Sequence, residues 1–312
     1  MSEPSERREA QSPARGWLSA RERGGVVAIR FTVFLTTFFG RTIVRFIALF
    51  VALYYTVTSP RARVALRIYY ERLGRGAVGF WVLYRHMLRF VRCTLDAFFL
   101  VSGRTAPFRV TRTGQHYLQR LRDGKQGAIL LGAHLGSFYA MRVQSGTERL
   151  PVHALMHTAN ARMLNDALAK LDPASAARIL ELDPAGGLDA MLKIRERIEA
   201  GSLVAILADR IPSHASADRV VKVPFLGREA SFPAGPFLLA ATLRCPVYLT
   251  FGIARDPDTY DLYCELFADK IVLPRGDRMG AVKTYAAQYA QRLEHYARLA
   301  PDNWFNFYDF WG

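Results

Sequence analysis

The sequence predicts an α/β fold: a mixed, mainly parallel sheet flanked by helices, preceded by an N-terminal helical region. Two observations lead to this prediction. After residue 103, short apolar runs of strand length alternate with segments of helical periodicity, a pattern typical of a sheet covered by helices on both faces. Before residue 103, apolar residues recur at three- and four-residue spacing, as in helices, and this region is also the most apolar part of the chain.

The N-terminal region is strongly basic. The 312-residue chain has a net charge of +15, and residues 1–75 contribute +8 of it, with 13 Arg, no Lys and 5 Glu. The longest uncharged run there, residues 46–60, has 15 residues, fewer than the ~18 to 20 that a membrane-spanning helix needs. Arginines flank both sides, so charge predicts no orientation. We predict a membrane anchor that either spans the bilayer over about residues 42–59 or lies at its surface.

Three regions follow one another along the chain. Residues 1–24 are polar and predicted as a disordered basic tail, residues 25–103 as the N-terminal helical membrane-anchoring region, and residues 104–312 as the α/β domain. Apolar residues at helical spacing predict helices over residues 61–75 and 80–100 in the anchoring region. In the domain the same pattern predicts helices over residues 137–144, 160–170, 187–200, 233–243 and 279–299.

The strands are predicted from shorter apolar runs. Residues 127–132 (Gly-Ala-Ile-Leu-Leu-Gly) and 203–208 (Leu-Val-Ala-Ile-Leu-Ala) are continuous apolar runs, as in parallel strands buried on both faces. Residues 246–253 and 260–267 are rich in the aromatic and β-branched residues that strands favour. Residues 151–156 and 219–225 complete the set of predicted strands.

Several function classes are disfavoured. The three cysteines are odd in number and far apart, and three of the histidines lack metal-ligand spacing, so neither disulfides nor a metal or other resident cofactor is predicted. Phosphate-binding glycine loops do not occur in the sequence. Nucleic-acid binding, the natural alternative for a basic chain, is disfavoured because the excess charge surrounds an apolar anchor. The residues concerned are Cys93, Cys245, Cys264, His153, His157 and His214.

The most informative local feature lies in residues 127–142. A buried strand ends at Gly132, a short turn carries His134, and a helix is predicted to begin near Gly136 or Ser137. Ligands of open α/β sheets bind beyond the carboxyl ends of the strands, where His134 would lie. A nearby helix N-terminus disfavours imidazolium, which leaves a neutral base, and free backbone N–H groups there would stabilise an oxyanion. The alternative is a histidine that only caps a helix.

Several blocks of sequence follow one another along the chain. They are Trp17-Leu18 with residues 21–24, then residues 84–86, 127–138, 207–210, 223–227 and 232–236. Together they resemble the bacterial lipid A biosynthesis acyltransferases of the lauroyl/myristoyl type, a branch of the lysophospholipid acyltransferase superfamily. The ending, residues 301–311, is similar to members that accompany aryl-polyene or xanthomonadin-type pigment biosynthesis.

The resemblance implies a lysophospholipid-acyltransferase-like sheet and a specific reaction. An acyl-carrier-protein (ACP) or coenzyme A thioester would donate a fatty or polyenoyl chain to a hydroxyl of a lipid or glycolipid, with no further cofactor. His134 would remove the proton from that hydroxyl. The membrane would be a partner, and the protein would lie at the cytoplasmic face of a bacterial inner membrane.

One position departs from the family pattern. The family histidine is followed five residues later by Asp or Glu, which orients the ring, whereas Tyr139 occupies this position here. Three alternatives stay open: Tyr139 suffices, another carboxylate substitutes, or the chain is a weak or inactive lipid-binding homologue that serves a lipid-assembly complex. Asp209 is the best substitute, because it follows its strand as His134 follows residues 127–132. Asp209 and Arg210 are otherwise interpreted as a structural ion pair or as substrate-orienting residues.

Further residues are candidates for binding substrate. Arg210, Lys222 and Arg228 straddle residues 223–227 and would contact donor phosphates or an acidic headgroup, unless they only form a solvated basic rim. Ser137 lies three residues from His134, yet no G-x-S-x-G motif surrounds it, so a cap is the preferred interpretation. The aromatic ending, with six aromatics in residues 304–312, is expected to pack in the core or to contact the membrane interface.

Overall fold

The computed structural model describes residues 40–106, 108–141, 150–156, 179–181, 187–212, 216–256 and 258–312. The helices within these ranges are α1 (Arg41–Thr58), α2 (Pro60–Arg72), α3 (Phe80–Val101), α4 (Gln115–Asp123), α5 (Gly187–Glu199), α6 (Gly235–Leu243) and α7 (Arg278–Leu299). The strands are β1 (Arg109–Thr113), β2 (Ala128–Gly132), β3 (Val152–Met156), β4 (Ile179–Glu181), β5 (Leu203–Leu207), β6 (Val220–Phe225), β7 (Arg228–Pro233), β8 (Val247–Arg255) and β9 (Thr259–Ala268).

Seven of these strands form a mixed, mainly parallel sheet in the order β1-β9-β8-β2-β5-β3-β4, which confirms the predicted fold class. β8, β2, β5, β3 and β4 run in one direction, and β9 with β1 runs in the other. β2 lies at the centre with every residue buried, as its apolar sequence predicts. β2 and β5 are in register, with Gly132 opposite Leu207, and this register positions the site.

The remaining two strands form a separate antiparallel hairpin, so residues 219–225 do not extend the main sheet. Its turn is Leu226-Gly227, with φ of 50° and 78°, the left-handed pair that a tight hairpin requires. Leu226 tolerates this conformation because its side chain is buried and its N–H donates to Glu294 Oε2 at 2.7 Å. β7 was not predicted, and the helix expected from residue 233 begins at Gly235.

The other element predictions have mixed outcomes. The helices of the N-terminal region and the long final helix occur where the periodicity predicts them, whereas β1, α4 and β4 were not predicted. The helix expected over residues 137–144 is described only for residues 138–141. The predicted helix over residues 160–170 and the predicted tail over residues 1–24 lie outside the described residues.

The two faces of the sheet differ in how they are covered. On one face, residues such as Ile129, Val204 and Phe251 form the main core with α7, the hairpin and α6. This core also includes Tyr69, Tyr70 and Leu83 of α2 and α3. On the other face, a smaller cluster packs against α4, and an open apolar groove runs beside it.

α1 lies along α3. The face formed by Val44, Ala48, Ala52 and Thr56 is buried, and Tyr84 of α3 donates a hydrogen bond to the Leu49 carbonyl at 3.2 Å. Small residues at four-residue spacing allow this close approach. Among the described residues, α1 alone has the length and hydropathy that a membrane-spanning helix needs.

Ion pairs hold the N-terminal end of α1 to α3 and to the turn between β8 and β9. The Arg41 guanidinium lies 3.1 Å from an Asp96 carboxylate oxygen and 3.0 Å from one of Asp258, and Arg45 also pairs with Asp258. The Arg41 guanidinium stacks 3.9 Å above the Phe108 ring. This end of α1 is therefore fixed to α3 and to the β8–β9 turn.

The opposite face of α1 is apolar and exposed. Its residues recur at three- and four-residue spacing, which places them on one stripe: Ile43, Phe46, Phe50, Tyr54 and Val57, each between 46% and 61% exposed. Trp81, at the start of α3, is 73% exposed and lies three residues before Tyr84, which contacts α1. We call this surface, the stripe together with Trp81, the apolar face of α1.

Candidate active site

His134 and Asp209 meet at the carboxyl edge of the sheet. Gly132, the last residue of β2, is paired with Leu207, the last residue of β5. His134 and Asp209 each lie two residues beyond these paired positions. Neighbouring parallel strands lie about 4.8 Å apart, so equal offsets from a paired position bring the two side chains together. His134 Nδ1 is 2.8 Å from Asp209 Oδ1, and the His134 backbone N–H donates to Asp209 Oδ2 at 3.0 Å.

Burial and charge determine the proton positions in this pair. Asp209 is 1% exposed; its burial favours the neutral acid, but its contacts with His134 and the charge of Arg210 outweigh this effect and lower its pKa to about 2. The pKa of His134 is lowered, first by burial and then by Arg210, against the opposing effect of Asp209. Because an ionised carboxylate only accepts hydrogen bonds, Nδ1 carries the ring proton. Nε2 of a neutral His134 is therefore left as a base.

A third donor reaches the carboxylate from the end of the chain. The indole Nε1 of Trp304 lies 3.2 Å from Asp209 Oδ2. Residues 303–305 also run antiparallel to the His134 turn: Gly136 N–H donates to the Asn303 carbonyl, and Phe305 N–H to the His134 carbonyl, both at 2.8 Å. The dyad is thus held by both strands and by the C-terminal segment.

The backbone N–H groups of Gly136 and Ser137 are not free, contrary to expectation. That of Gly136 is taken by Asn303, and that of Ser137 donates to the Gly252 carbonyl at 2.7 Å. Gly136 has φ of 71°, and a Cβ there would lie 1.9 Å from the Gly252 carbonyl oxygen. These two N–H groups brace the turn, so neither is free to bind an oxyanion. An oxyanion site at the helix N-terminus stays a prediction, as does substrate binding by Gly136 and Ser137.

Ser137 and Tyr139 have contacts of their own. The Ser137 side chain is buried and accepts a hydrogen bond from the Ala140 N–H at 3.1 Å, as a helix cap does. The ring of Tyr139 packs against the cluster formed by Ala140, Tyr260 and Phe305. The acceptor of the His134 Nδ1–H is Asp209 and not Tyr139, so the carboxylate expected at position 139 is supplied by another strand.

The predicted basic residues divide into two groups. Arg210 lies beside the dyad, where its Nη2 donates to the Phe305 carbonyl at 2.7 Å and its charge acts on both His134 and Asp209. Lys222 and Arg228 are exposed on β6 and β7. Their predicted contact with donor or headgroup phosphates stays a prediction, and the hairpin gives them solvated positions.

An apolar groove runs over the sheet face that carries Leu130, Val152 and Ala205. Phe138 and Met141, just after the His134 turn, line it as well. Arg112, exposed on β1, lies on its polar rim. The groove therefore reaches the segment that follows the His134 turn.

The sequence reasoning missed Trp304, Phe305 and Asn303 as site residues. Their only signal was the aromatic ending; Trp304, Phe305 and Phe310 are 0%, 6% and 6% exposed, so their role is core packing as well as support of the turn. Among the described residues, no three His, Cys, Asp or Glu side chains are grouped as a metal site requires. His157 and His214 lie outside the described residues.

Comparison with known proteins gives one finding on family. A family model described as bacterial lipid A biosynthesis acyltransferase matches residues 84–311, about three quarters of the chain. The match includes His134, Asp209 and Trp304. It does not separate the branches of the family, so the pigment-associated branch stays a prediction. No curated protein matches the chain significantly.

Proposed function

Because the chain belongs to the bacterial lipid A biosynthesis acyltransferase family, we propose that it transfers an acyl chain from an ACP or coenzyme A thioester to a hydroxyl of a lipid or glycolipid. The family supports acyl transfer to a lipid acceptor. The single observation that supports the mechanism is the 2.8 Å contact between His134 Nδ1 and Asp209 Oδ1, which leaves Nε2 as a base.

The reaction has two proton transfers through the same nitrogen. His134 Nε2 takes the proton of the acceptor hydroxyl while its oxygen attacks the thioester carbonyl carbon. The resulting imidazolium is stabilised by the Asp209 carboxylate. When the C–S bond breaks, the leaving thiolate takes the proton from Nε2, so the products are an ester and a free thiol. His134 returns to its neutral form.

The apolar groove supports the choice of an acyl substrate. Leu130, Val152 and Ala205 give it an apolar floor, and burial of each methylene there contributes about 0.8 kcal/mol. Thr250, which lies beside Gly132 at the end of β2, also lines the groove. An acyl chain in this groove would therefore have its thioester end near the turn that carries His134.

The apolar face of α1 supports binding at a membrane surface, with α1 in the plane of the interface. A spanning orientation would draw the Arg41 and Arg45 ion pairs, and the β8–β9 turn they hold, towards hydrocarbon, where charged groups are costly. In the plane, the exposed stripe enters the headgroup region and Trp81 lies at the depth that tryptophan favours. We place this surface on the cytoplasmic side of the inner membrane, where acyl thioesters are available.

The membrane proposal is tested by flotation of the full chain with anionic vesicles. The double variant Phe46→Asp/Phe50→Asp should lose most vesicle binding, while Val272→Asp, at an exposed apolar residue outside this face, should bind as wild type. Undiminished binding of the double variant would contradict an interfacial role for α1.

The enzymatic proposal is tested with purified protein in detergent. Radiolabelled acyl-ACP and acyl-CoA are each supplied with a lipid extract from cells that lack the gene, and the acylated product is identified by its mass increment. His134→Ala should form no product, whereas His116→Ala, at an exposed histidine on α4, should retain wild-type rates. Equal product from His134→Ala and wild type would remove His134 from the mechanism, and no product from wild type would favour the lipid-binding alternative.

A further inference from the structure

The C-terminal segment forms part of the wall of the candidate active site. Leu135 and Trp304 form an antiparallel bridge, and the two flanking backbone hydrogen bonds join residues 134–136 to residues 303–305. The side chain of Asn303 accepts from the Ala254 N–H at 2.8 Å and donates to the Ala254 carbonyl at 3.2 Å. The segment is thereby fixed both to the His134 turn and to β8.

Within this segment, Trp304 is held on every side. It is 0% exposed, and its ring centroid lies 5.1 Å from that of Tyr69, 5.3 Å from that of Phe225 and 4.9 Å from that of Phe310. Its carbonyl lies 3.1 Å from His86 Nε2. Because a carbonyl only accepts, His86 Nε2 carries the proton and donates it, and Nδ1 accepts from the Tyr70 hydroxyl at 3.2 Å. The indole thus has one orientation.

That orientation determines how Asp209 uses its two oxygens. Oδ2 accepts from two donors, the His134 backbone N–H and the indole N–H, whereas Oδ1 accepts from His134 Nδ1. Rotation of the carboxylate would break the bonds to Oδ2. A buried tryptophan needs a partner for its N–H, and here the partner is the carboxylate that orients the base.

We propose that Trp304 is a positioning residue for acyl transfer: its indole N–H locks the Asp209 carboxylate so that Oδ1 faces His134 Nδ1. This inference rests on the proposed role of His134 as the base. Hydrogen bonds to charged groups are among the stronger ones, and loss of this one should lower kcat by about 10- to 100-fold. KM should change little, because Trp304 contacts Asp209 and not the groove.

The loss should also shift the titration of His134. A carboxylate that has lost one donor interacts more strongly with an imidazolium, so the pKa of His134 should rise. Among the residues that the structure describes, the other titratable groups whose charges act on the dyad are Arg210, Tyr289 and Tyr308, and the substitution leaves all of them in place.

The experiment compares Trp304→Phe with Trp311→Phe. Trp311 belongs to the same aromatic cluster, but its indole donates to the Phe225 carbonyl at 3.2 Å, so its loss should affect packing without changing Asp209. The readouts are kcat and KM for acyl transfer, the pH profile of kcat/KM, and the His134 titration by NMR of histidine-labelled protein. We expect a lower kcat and a raised His134 pKa in Trp304→Phe, and neither change in Trp311→Phe.

Equal behaviour of the two phenylalanine variants would overturn the proposal, because Trp304 would then act only by packing. If Trp304→Phe does not fold, benzothienylalanine at position 304, which keeps the ring size and lacks the N–H, gives the same comparison. The NMR titration separates the two proposals. A wild-type protein without acyl transfer would refute the proposed function, whereas an unshifted His134 titration in an active protein would refute only the role of Trp304.

Discussion

Asp209→Asn tests whether the carboxylate controls the proton on His134. The substitution keeps the shape of the side chain, but it replaces one of two acceptor oxygens by an NH₂ group. The amide can take two orientations. With the NH₂ group at the position of Oδ2, it would face two N–H donors, from the His134 backbone and Trp304. In place of Oδ1 it would face only His134 Nδ1. Each unpaired buried donor costs about 1–3 kcal/mol, so the second orientation is favoured.

This orientation changes the tautomer of the histidine. The NH₂ group donates to His134 Nδ1, which must then accept, and the ring proton moves to Nε2. A protonated Nε2 cannot take the proton of the acceptor hydroxyl. In Ser-His-Asp enzymes the equivalent substitution lowers turnover by about 10⁴ through the same change. We expect a similar loss in kcat here, equivalent to about 5 kcal/mol of transition-state stabilisation.

The assay combines rates, tautomers and stability. Acyl transfer gives kcat, ¹⁵N NMR of labelled histidine shows whether Nδ1 or Nε2 carries the proton, and thermal unfolding checks the fold. Asp96→Asn is the matched control, because Asp96 is also buried and bonded, to Arg41 and Tyr260, but lies outside the site. It should lower the Tm and leave kcat unchanged. A folded Asp209→Asn protein with a rate within tenfold of wild type would refute the reasoning.

Three more predictions follow from the site and its support. Tyr139→Phe should keep kcat within about threefold of wild type, because the hydrogen bond from His134 Nδ1–H is accepted by Asp209 and not by Tyr139; a loss comparable to that of Asp209→Asn would instead assign the role to the phenol. Ala205→Leu should fill part of the groove and reduce kcat/KM by about fourfold for each methylene displaced, seen as a shift towards shorter chains across a series of saturated acyl thioesters. Burial lowers the pKa of His86 in the folded protein to about 4, whereas a histidine in the unfolded chain has a pKa of about 6.5. As the pH falls below about 6.5, the unfolded chain therefore binds a proton that the folded protein does not. The free energy of unfolding should decrease by up to about 3 kcal/mol by pH 4. In urea unfolding, the free energy of unfolding should depend less on pH over this range in His86→Gln than in the wild-type protein.

The sequence predicted the centre of the fold better than its edges. β2 and β5 are continuous apolar runs buried in the sheet, and such runs carry their signal in composition alone. β1 has the sequence Arg-Val-Thr-Arg-Thr and is largely exposed at the sheet edge, so it has no apolar pattern to detect. β7 follows a Leu-Gly turn, which lacks the Asn or Asp that usually marks a tight hairpin.

The sequence predicted those residues of the site that directly follow the strands of the sheet. His134 and Asp209 each follow an apolar strand, and the rule that parallel strands end at one edge is sufficient to bring them near each other. Trp304 lies 95 residues from Asp209, and the backbone acceptors of the Gly136 and Ser137 N–H groups belong to Asn303 and Gly252, each more than 100 residues from its donor. No local pattern carries such long-range contacts, so the sequence did not show that the Gly136 and Ser137 N–H groups are occupied, and it did not reveal the indole donor.

The position of the carboxylate in the fold determines what fixes its distance to the His134 ring. An acid five residues after the histidine would belong to the turn and helix that carry the base, and its distance to the ring would depend on local backbone geometry. Asp209 instead lies two residues beyond β5, so its distance to His134 depends on the register of two strands at the centre of the sheet. A slip of one residue would move Asp209 by about 3.3 Å and turn its side chain to the other face. The buried centre of the sheet, with Leu131 and Val204 at 0% exposure, resists that slip, and the C-terminal segment ties the histidine turn to the same frame through Leu135 and Trp304. The absence of an acid at position 139 is thus compatible with an oriented base, because the orienting group is held at the end of a strand in the buried centre of the sheet.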